Sequence, residues 1–122
     1  MPSLASFAST RLAEYGNLDV NTAGAVNIFD ITSDVFITHV VLYAPSISLT
    51  TASISFGFNS ASYNDVIANS TYTALTASGL YQVVVAKSGA AIGVFGNSFN
   101  VKVNTPQGAA ATVSLLVFGF YL

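Results

Sequence analysis

The chain has 122 residues, a length that suits one domain with a core of its own. Its composition is unusual for a protein surrounded by water, because 52% of the residues are hydrophobic and 7% are charged, against about a quarter charged in typical soluble domains. Three cations and a formal net charge of −2 exclude the basic surface that nucleic-acid binding requires, and the lack of cysteine excludes disulfides and thiolate metal sites.

A membrane partner is not predicted either. A membrane-spanning helix needs about 18 or more consecutive apolar residues, and the sequence contains no such run. The longest apolar stretch is the terminal "VSLLVFGFYL", which includes a serine and a glycine and is rich in residues that favour strands.

Period-two alternation recurs along the chain, whereas helical periodicity does not persist. Residues 1–20 hold few turn signals and are predicted to form an N-terminal arm or a first strand, and residues 21–122 a single β-sandwich domain. Turn residues separate the later strands. These strands are predicted at Val26–Ile31, Val35–Ala44, Thr51–Asn59, Leu80–Lys87, Ser98–Asn104 and Ala111–Leu122, with shorter candidates at Thr71–Leu75 and Ala91–Phe95. About eight strands and no helix predict an all-β, antiparallel sandwich.

Two of the predicted strands are apolar on both faces, unlike the core-in, water-out strands elsewhere in the chain. One face of each strand is expected to lie in the core and the other against a neighbouring subunit. An alternative is that loops of the same chain cover the second face. By alternation, the candidate subunit interface consists of Val35, Ile37, His39, Val41 and Tyr43 from one strand and Leu116, Phe118, Phe120 and Leu122 from the other.

The sequence shows little catalytic chemistry. His39 is the single histidine, and it lies among apolar residues, where a core or interface position is expected. The five carboxylates form no calcium-loop pattern, and no nucleophile-elbow motif accompanies the many serines. We therefore predict no catalytic residue, no metal and no cofactor, and the chain is not expected to be an enzyme.

The C-terminal stretch "FNVKVNTPQGAAATVSLLVFGFYL", in a short all-β chain with few charges, resembles small jelly-roll virion proteins of tailed bacteriophages, which are decoration (cement) or fibre-associated proteins. The resemblance implies a jelly-roll fold, a homotrimer and a place on the capsid surface of the virion after synthesis in the host cytoplasm. It also implies an N-terminal arm that contacts the major capsid protein, for which Leu4, Phe7 and Leu12 are the candidate residues.

On this interpretation the function is structural: the protein binds the outside of the head and stabilises contacts between capsid subunits. The main alternative is a knob of a fibre or spike that binds a glycan or host receptor through loops such as "NSASYND". A cellular assembly subunit is a further alternative, because the fold alone does not select a function.

Overall fold

The computed structural model describes residues 10–59 and 61–122. These residues form eight strands and no helix: β1 Thr10–Asp19, β2 Gly24–Asp30, β3 Val35–Tyr43, β4 Ser53–Gly57, β5 Ile67–Thr71, β6 Tyr81–Val85, β7 Ser98–Thr105 and β8 Thr112–Tyr121. The prediction of an all-β sandwich is confirmed. β1 lies within the segment predicted to be an arm or a first strand.

The strands form two four-stranded sheets that are antiparallel throughout. We call β1-β8-β3-β6 the first sheet and β2-β7-β4-β5 the second sheet. The pairs β1–β8, β2–β7, β3–β6 and β4–β5 are nested, as in a long hairpin rolled into a sandwich. Eight strands joined in this way have the connectivity of a jelly roll.

The core lies between the sheets and is lined by alternate residues of the central strands. Phe99 of β7 lies at its centre, with its ring centroid 5.8 Å from that of Phe29, 6.0 Å from that of Phe56 and 5.3 Å from that of Phe58. Aliphatic side chains of β3 and β8 form the part of the core that the first sheet contributes. These are Val35, Ile37, Val40, Leu42, Val113, Leu115 and Val117.

A β-bulge divides β3. Ile37 is opposite Gly119 of β8 and His39 is opposite Phe118, so Thr38 is the extra residue of the bulge. The Thr38 hydroxyl instead donates to the Phe118 carbonyl at 3.2 Å. At Gly119 a Cβ would overlap the carbonyl oxygen of Phe36, so this close approach of two strands requires glycine.

The bulge changes which residues of β3 share a face. Strict alternation placed Val35 and Ile37 on the same side as Val41, but the extra residue returns both to the core side, with exposures of 0% and 4%. Val40 and Leu42 continue that core face beyond the bulge. The face assignment by alternation was therefore wrong for Val35 and Ile37.

Two short predicted strands also differ from the structure. The strand predicted at Thr71–Leu75 is wrong, since β5 ends at Thr71 and Leu75 is buried in the following turn. The segment Ala91–Phe95 is not a strand, although Gly93 forms an isolated bridge with Val35.

The turn between β7 and β8 is fixed by the glutamine of "TPQGA". The side-chain oxygen of Gln107 accepts hydrogen bonds from the amides of Thr51 and Ala52, at 3.1 and 2.9 Å. Its side-chain nitrogen donates to the Ser48 carbonyl and the Thr50 hydroxyl. One nearly buried amide group thereby attaches the segment that precedes β4 to the turn that precedes β8.

Candidate interaction surface

The face of the first sheet that points away from the core is almost entirely apolar, and we call it the outer face. β8 and β3 form its centre and β6 forms one side. Its residues are Phe36, His39, Val41, Tyr43, Tyr81, Val83, Val85, Leu116, Phe118 and Phe120. The β3 and β8 members are half-buried, whereas those of β6 are exposed.

Aromatic contacts order the centre of the outer face. The ring centroids of Phe36 and Phe120 are 5.3 Å apart with a tilt of 34°. His39 stacks on Phe118 with centroids 4.6 Å apart and an angle of 5° between the rings. The Nδ1 atom of His39 lies 2.9 Å from the Thr38 hydroxyl oxygen. These tilted and stacked rings form a largely apolar surface at the centre of the outer face.

The two sides of the outer face differ in charge. On the β1 side, Arg11 is opposite Phe118 and Glu14 is opposite Leu116, and both charged side chains are exposed. Their closest charged atoms are 3.9 Å apart. On the β6 side the outer face continues without a charged residue to the edge of the sheet, because residues 80–86 read "LYQVVVA". The apolar surface is therefore bounded by charges on the β1 side and unbounded on the β6 side.

The structure brings most of the predicted interface residues together. His39, Val41, Tyr43, Leu116, Phe118 and Phe120 share the outer face, whereas Val35 and Ile37 lie in the core for the reason given above. Leu122 follows β8 and is exposed, with its amide donating to the Asp34 carbonyl at 2.9 Å.

The predicted arm residues are only partly within the described chain. Leu12 lies in β1, where its side chain is half-buried against the core and its Cδ1 atom would lie 3.0 Å from a Cβ at Gly119. Leu4 and Phe7 lie outside the described residues.

β6 was predicted as a strand without a place in the candidate interface. Tyr81, Val83 and Val85 are 70%, 49% and 71% exposed. A second exposed apolar group follows β6 in the chain and consists of Ile92, Val94 and Phe95. Two features could have identified β6 as an interaction surface. Its apolar residues alternate without a charged residue, and the nested pairing of the strands places it at the edge of a sheet.

The face of the second sheet that points away from the core is polar and is covered by the loop that follows β4 in the same chain. Asp65 accepts hydrogen bonds from the amides of Phe58 at 2.8 Å and Asn59 at 3.3 Å, which closes the loop. Lys102 and Lys87 donate to the carbonyls of Ala61 and Asn64, respectively. Ala61, Asn64 and Asp65 of the segment "NSASYND", the predicted receptor-binding loop, are thus each held by a hydrogen bond within the chain.

The described residues include no cavity and no group of three or more His, Asp or Glu side chains placed to hold a metal ion. Within the same part of the chain, no helix is long and apolar enough to cross a membrane.

Comparison with known proteins shows a likeness in structure and none in sequence. No protein-family profile matches the chain, and no curated protein matches it in sequence. The fold is similar to that of a chain in the cyanophage Pam1 capsid asymmetric unit, with a TM-score of 0.59 and 18% sequence identity. The match covers 100% of this chain and 91% of that chain, so the shared feature is the fold of two whole chains of similar length.

Proposed function

We propose that the protein is a structural subunit of a bacteriophage virion, and that three copies form a decoration protein on the outside of the head. In this role it binds the major capsid protein and stabilises the contacts between capsid subunits. The proposed function depends on interaction surfaces, and no residue is assigned to catalysis.

The observation that carries the proposal is the outer face. A sandwich buries one side of each sheet in its own core and normally presents polar residues to water on the other side. Here the outward side of β3 and β8 instead carries Phe36, Phe118 and Phe120. Apolar area of this kind favours a protein partner, since contiguous exposed apolar patches mark interaction sites.

The structural likeness supports the class of assembly. A capsid asymmetric unit contains a chain whose fold resembles this one over nearly its whole length. A chain that consists of a single jelly roll has enough surface to bind a shell and neighbouring copies, which suits a decoration protein.

The held loop favours this function over the receptor-knob alternative. Receptor-binding loops are often adaptable, whereas here Ala61 is tied to β7 of the second sheet by Lys102, and Asn64 is tied to Lys87, which follows β6. The knob alternative would then need another loop for its ligand.

The first test is the native mass of the purified chain, measured by light scattering after size exclusion. A homotrimer gives about 38 kDa, three times the chain mass of 12.6 kDa. A stable monomer at micromolar concentration would contradict the proposed trimer and remove the physical reason for a second buried face.

The second test uses empty heads of the parent phage assembled without this protein. A decoration protein should bind these heads to saturation and raise the temperature at which they disrupt. Binding to host cells or glycans, with no binding to heads, would support the knob alternative instead.

A further inference from the structure

We infer that β6 is a second contact surface, through which two copies of the chain pair edge to edge to form one continuous antiparallel sheet. The occupant of the edge is the β6 strand of the other copy. This contact is separate from the one proposed for β3 and β8, and it does not depend on the virion role.

The first argument is that the β6 edge is open. β6 is the terminal strand of the first sheet. The amide of Ala86 donates to the Thr38 carbonyl at 2.9 Å, which fixes the direction of the backbone groups that follow β6. Because these directions alternate in an antiparallel pair, the groups of Gln82 and Val84 point to β3. Those of Tyr81, Val83 and Val85 point away from the sheet.

The other sheet edges in the described chain are protected against pairing with another strand, whereas β6 is not. β1 carries Arg11, Glu14 and Asp19 and has two register shifts, and β2 carries Asp30 and has one shift. β5 is mostly polar, and its pairing with β4 is also interrupted. β6 pairs with β3 over five consecutive residues without a shift. Charges and bulges are the usual means of preventing edge pairing, and β6 has neither.

β6 is complementary to itself, and this indicates a second copy of the chain as the partner. An antiparallel pair centred on Val83 places Val83 opposite its own copy and Tyr81 opposite Val85 in both directions. The outward backbone groups of all three residues then form hydrogen bonds. Their exposed side chains meet on one face as an aromatic–β-branched pair on each side of a central valine pair.

Charge also favours a second copy. The segment 80–86 contains no charged residue, so a charged peptide would gain no ion pair at this edge. One pairing of two identical edges occupies the outward backbone groups of both strands and leaves no β6 edge free for continued growth.

Cysteine cross-linking tests the pairing and its register, because the chain has no cysteine of its own. In the proposed pair the two Val83 Cα atoms are about 5.5 Å apart, within the range for a disulfide. The two Val85 Cα atoms are about 13 Å apart along the strands, which is too far. Val83→Cys should therefore form a disulfide-linked dimer under mild oxidation at least about tenfold faster than Val85→Cys, since pairing raises the effective thiol concentration.

A double variant supplies the matched control for register. Neither Tyr81→Cys nor Val85→Cys alone should cross-link efficiently, but the variant with both should, because position 81 of one copy meets position 85 of the other. Equal rates for all the cysteine variants, or no cross-linking of Val83→Cys at concentrations where the unmodified chain associates, would overturn the inference.

Proline substitution separates the pairing from the fold. Val83→Pro removes an amide hydrogen that the monomer does not use, so it should keep the unfolding midpoint and abolish cross-linking in the Tyr81→Cys/Val85→Cys background. Val84→Pro removes an amide that faces β3 and should lower the midpoint. If Val83→Pro folds and cross-linking persists, the contact does not use the β6 backbone.

Two further results distinguish this pairing from the trimer contact and from binding to a capsid strand. Failure of the proposed trimer would appear as a mass that is not a multiple of three chains and would leave the Val83→Cys disulfide intact. Hydrogen exchange of the Val83 amide should slow when the concentration of the chain is raised. If it slows only when empty heads are added, the edge binds a capsid strand, and pairing between copies is overturned.

Discussion

His39 stacks flat on Phe118 at the centre of the outer face, with the ring centroids 4.6 Å apart. The pair joins β3 to β8 just beyond the bulge, where the two residues are in register. The stacked pair forms part of the apolar surface that is proposed to contact a neighbouring subunit.

A charge placed on the outer face of β8 should prevent association of the subunits. We expect Phe118→Asp or Phe120→Asp to dissociate or aggregate the oligomer, because a carboxylate would be desolvated in the proposed interface. Light scattering and circular dichroism would measure mass and folding. The matched control is Ala25→Asp, at an exposed position on β2 of the second sheet, which should keep the original mass. An intact oligomer from both phenylalanine variants would contradict the assigned surface.

Gly119 should tolerate no larger residue. We expect Gly119→Ala to lower the free energy of unfolding by about 2–3 kcal/mol, because the new Cβ would overlap the Phe36 carbonyl oxygen within the bulged pair. Urea unfolding would measure the change. Gly16→Ala is the control, since a Cβ at Gly16 meets nothing within 4 Å. Equal stability for the two variants would show that the bulge adapts.

Tyr72 should make the protein sensitive to alkaline pH. Burial raises the pKa of Tyr72 from 10.0 to about 12, with Ser70 offsetting part of the rise. Between these values the unfolded chain loses the phenolic proton and the folded chain keeps it, so stability is fully present below pH 10 and falls as the pH rises. The loss should reach about 2–3 kcal/mol by pH 12, at about 1.4 kcal/mol per pKa unit.

The variant Tyr72→Phe isolates this effect. Urea unfolding at a series of alkaline pH values should show a shallower decline for Tyr72→Phe than for the unmodified chain, whereas Tyr121→Phe, at an exposed position, should follow the unmodified chain. Near neutral pH the Tyr72 variant should be at least as stable, because its hydroxyl is buried without a hydrogen bond of good geometry. Parallel curves for all three proteins would refute the assignment.

Gln107 should be essential to the turn before β8. We expect Gln107→Ala to cost about 2–4 kcal/mol of unfolding free energy, because it leaves the amides of Thr51 and Ala52 without their acceptor. Gln107→Glu keeps the acceptor but turns a carboxylate toward the Ser48 carbonyl. It should therefore be less destabilised at mildly acidic pH, where the acid can donate a hydrogen. A loss below about 0.5 kcal/mol for both variants would mean that the turn forms without this clamp.

The sequence predicts the fold class because alternation is strong in the long strands. β7 and β8 lie where period-two patterning placed them, and Val113, Leu115 and Val117 face the core as predicted. β5 was missed because "IANST" has one large apolar residue, and its position is set by pairing with β4 and not by its own pattern.

The candidate surface was predictable only in part. The residues of β8 were assigned to the correct face because that strand alternates without interruption up to Phe120. On β3 the assignment failed at the bulge, where Gly119 of the distant strand β8 lies against the Phe36 carbonyl. The exposure of β6 is a property of strand order, which no local pattern contains.

The nested pairing also sets the order in which the chain can acquire its surfaces. β4 and β5 are neighbours in sequence, whereas Thr10 and Gly119, which pair in β1 and β8, are separated by 109 positions. Contacts between distant segments close slowly in all-β domains. We therefore expect β8, which carries Phe118 and Phe120, to take its place late, with its apolar side chains unsupported through much of folding. Chaperone protection or low-temperature synthesis should accordingly raise the soluble yield more than changes to the native surface would.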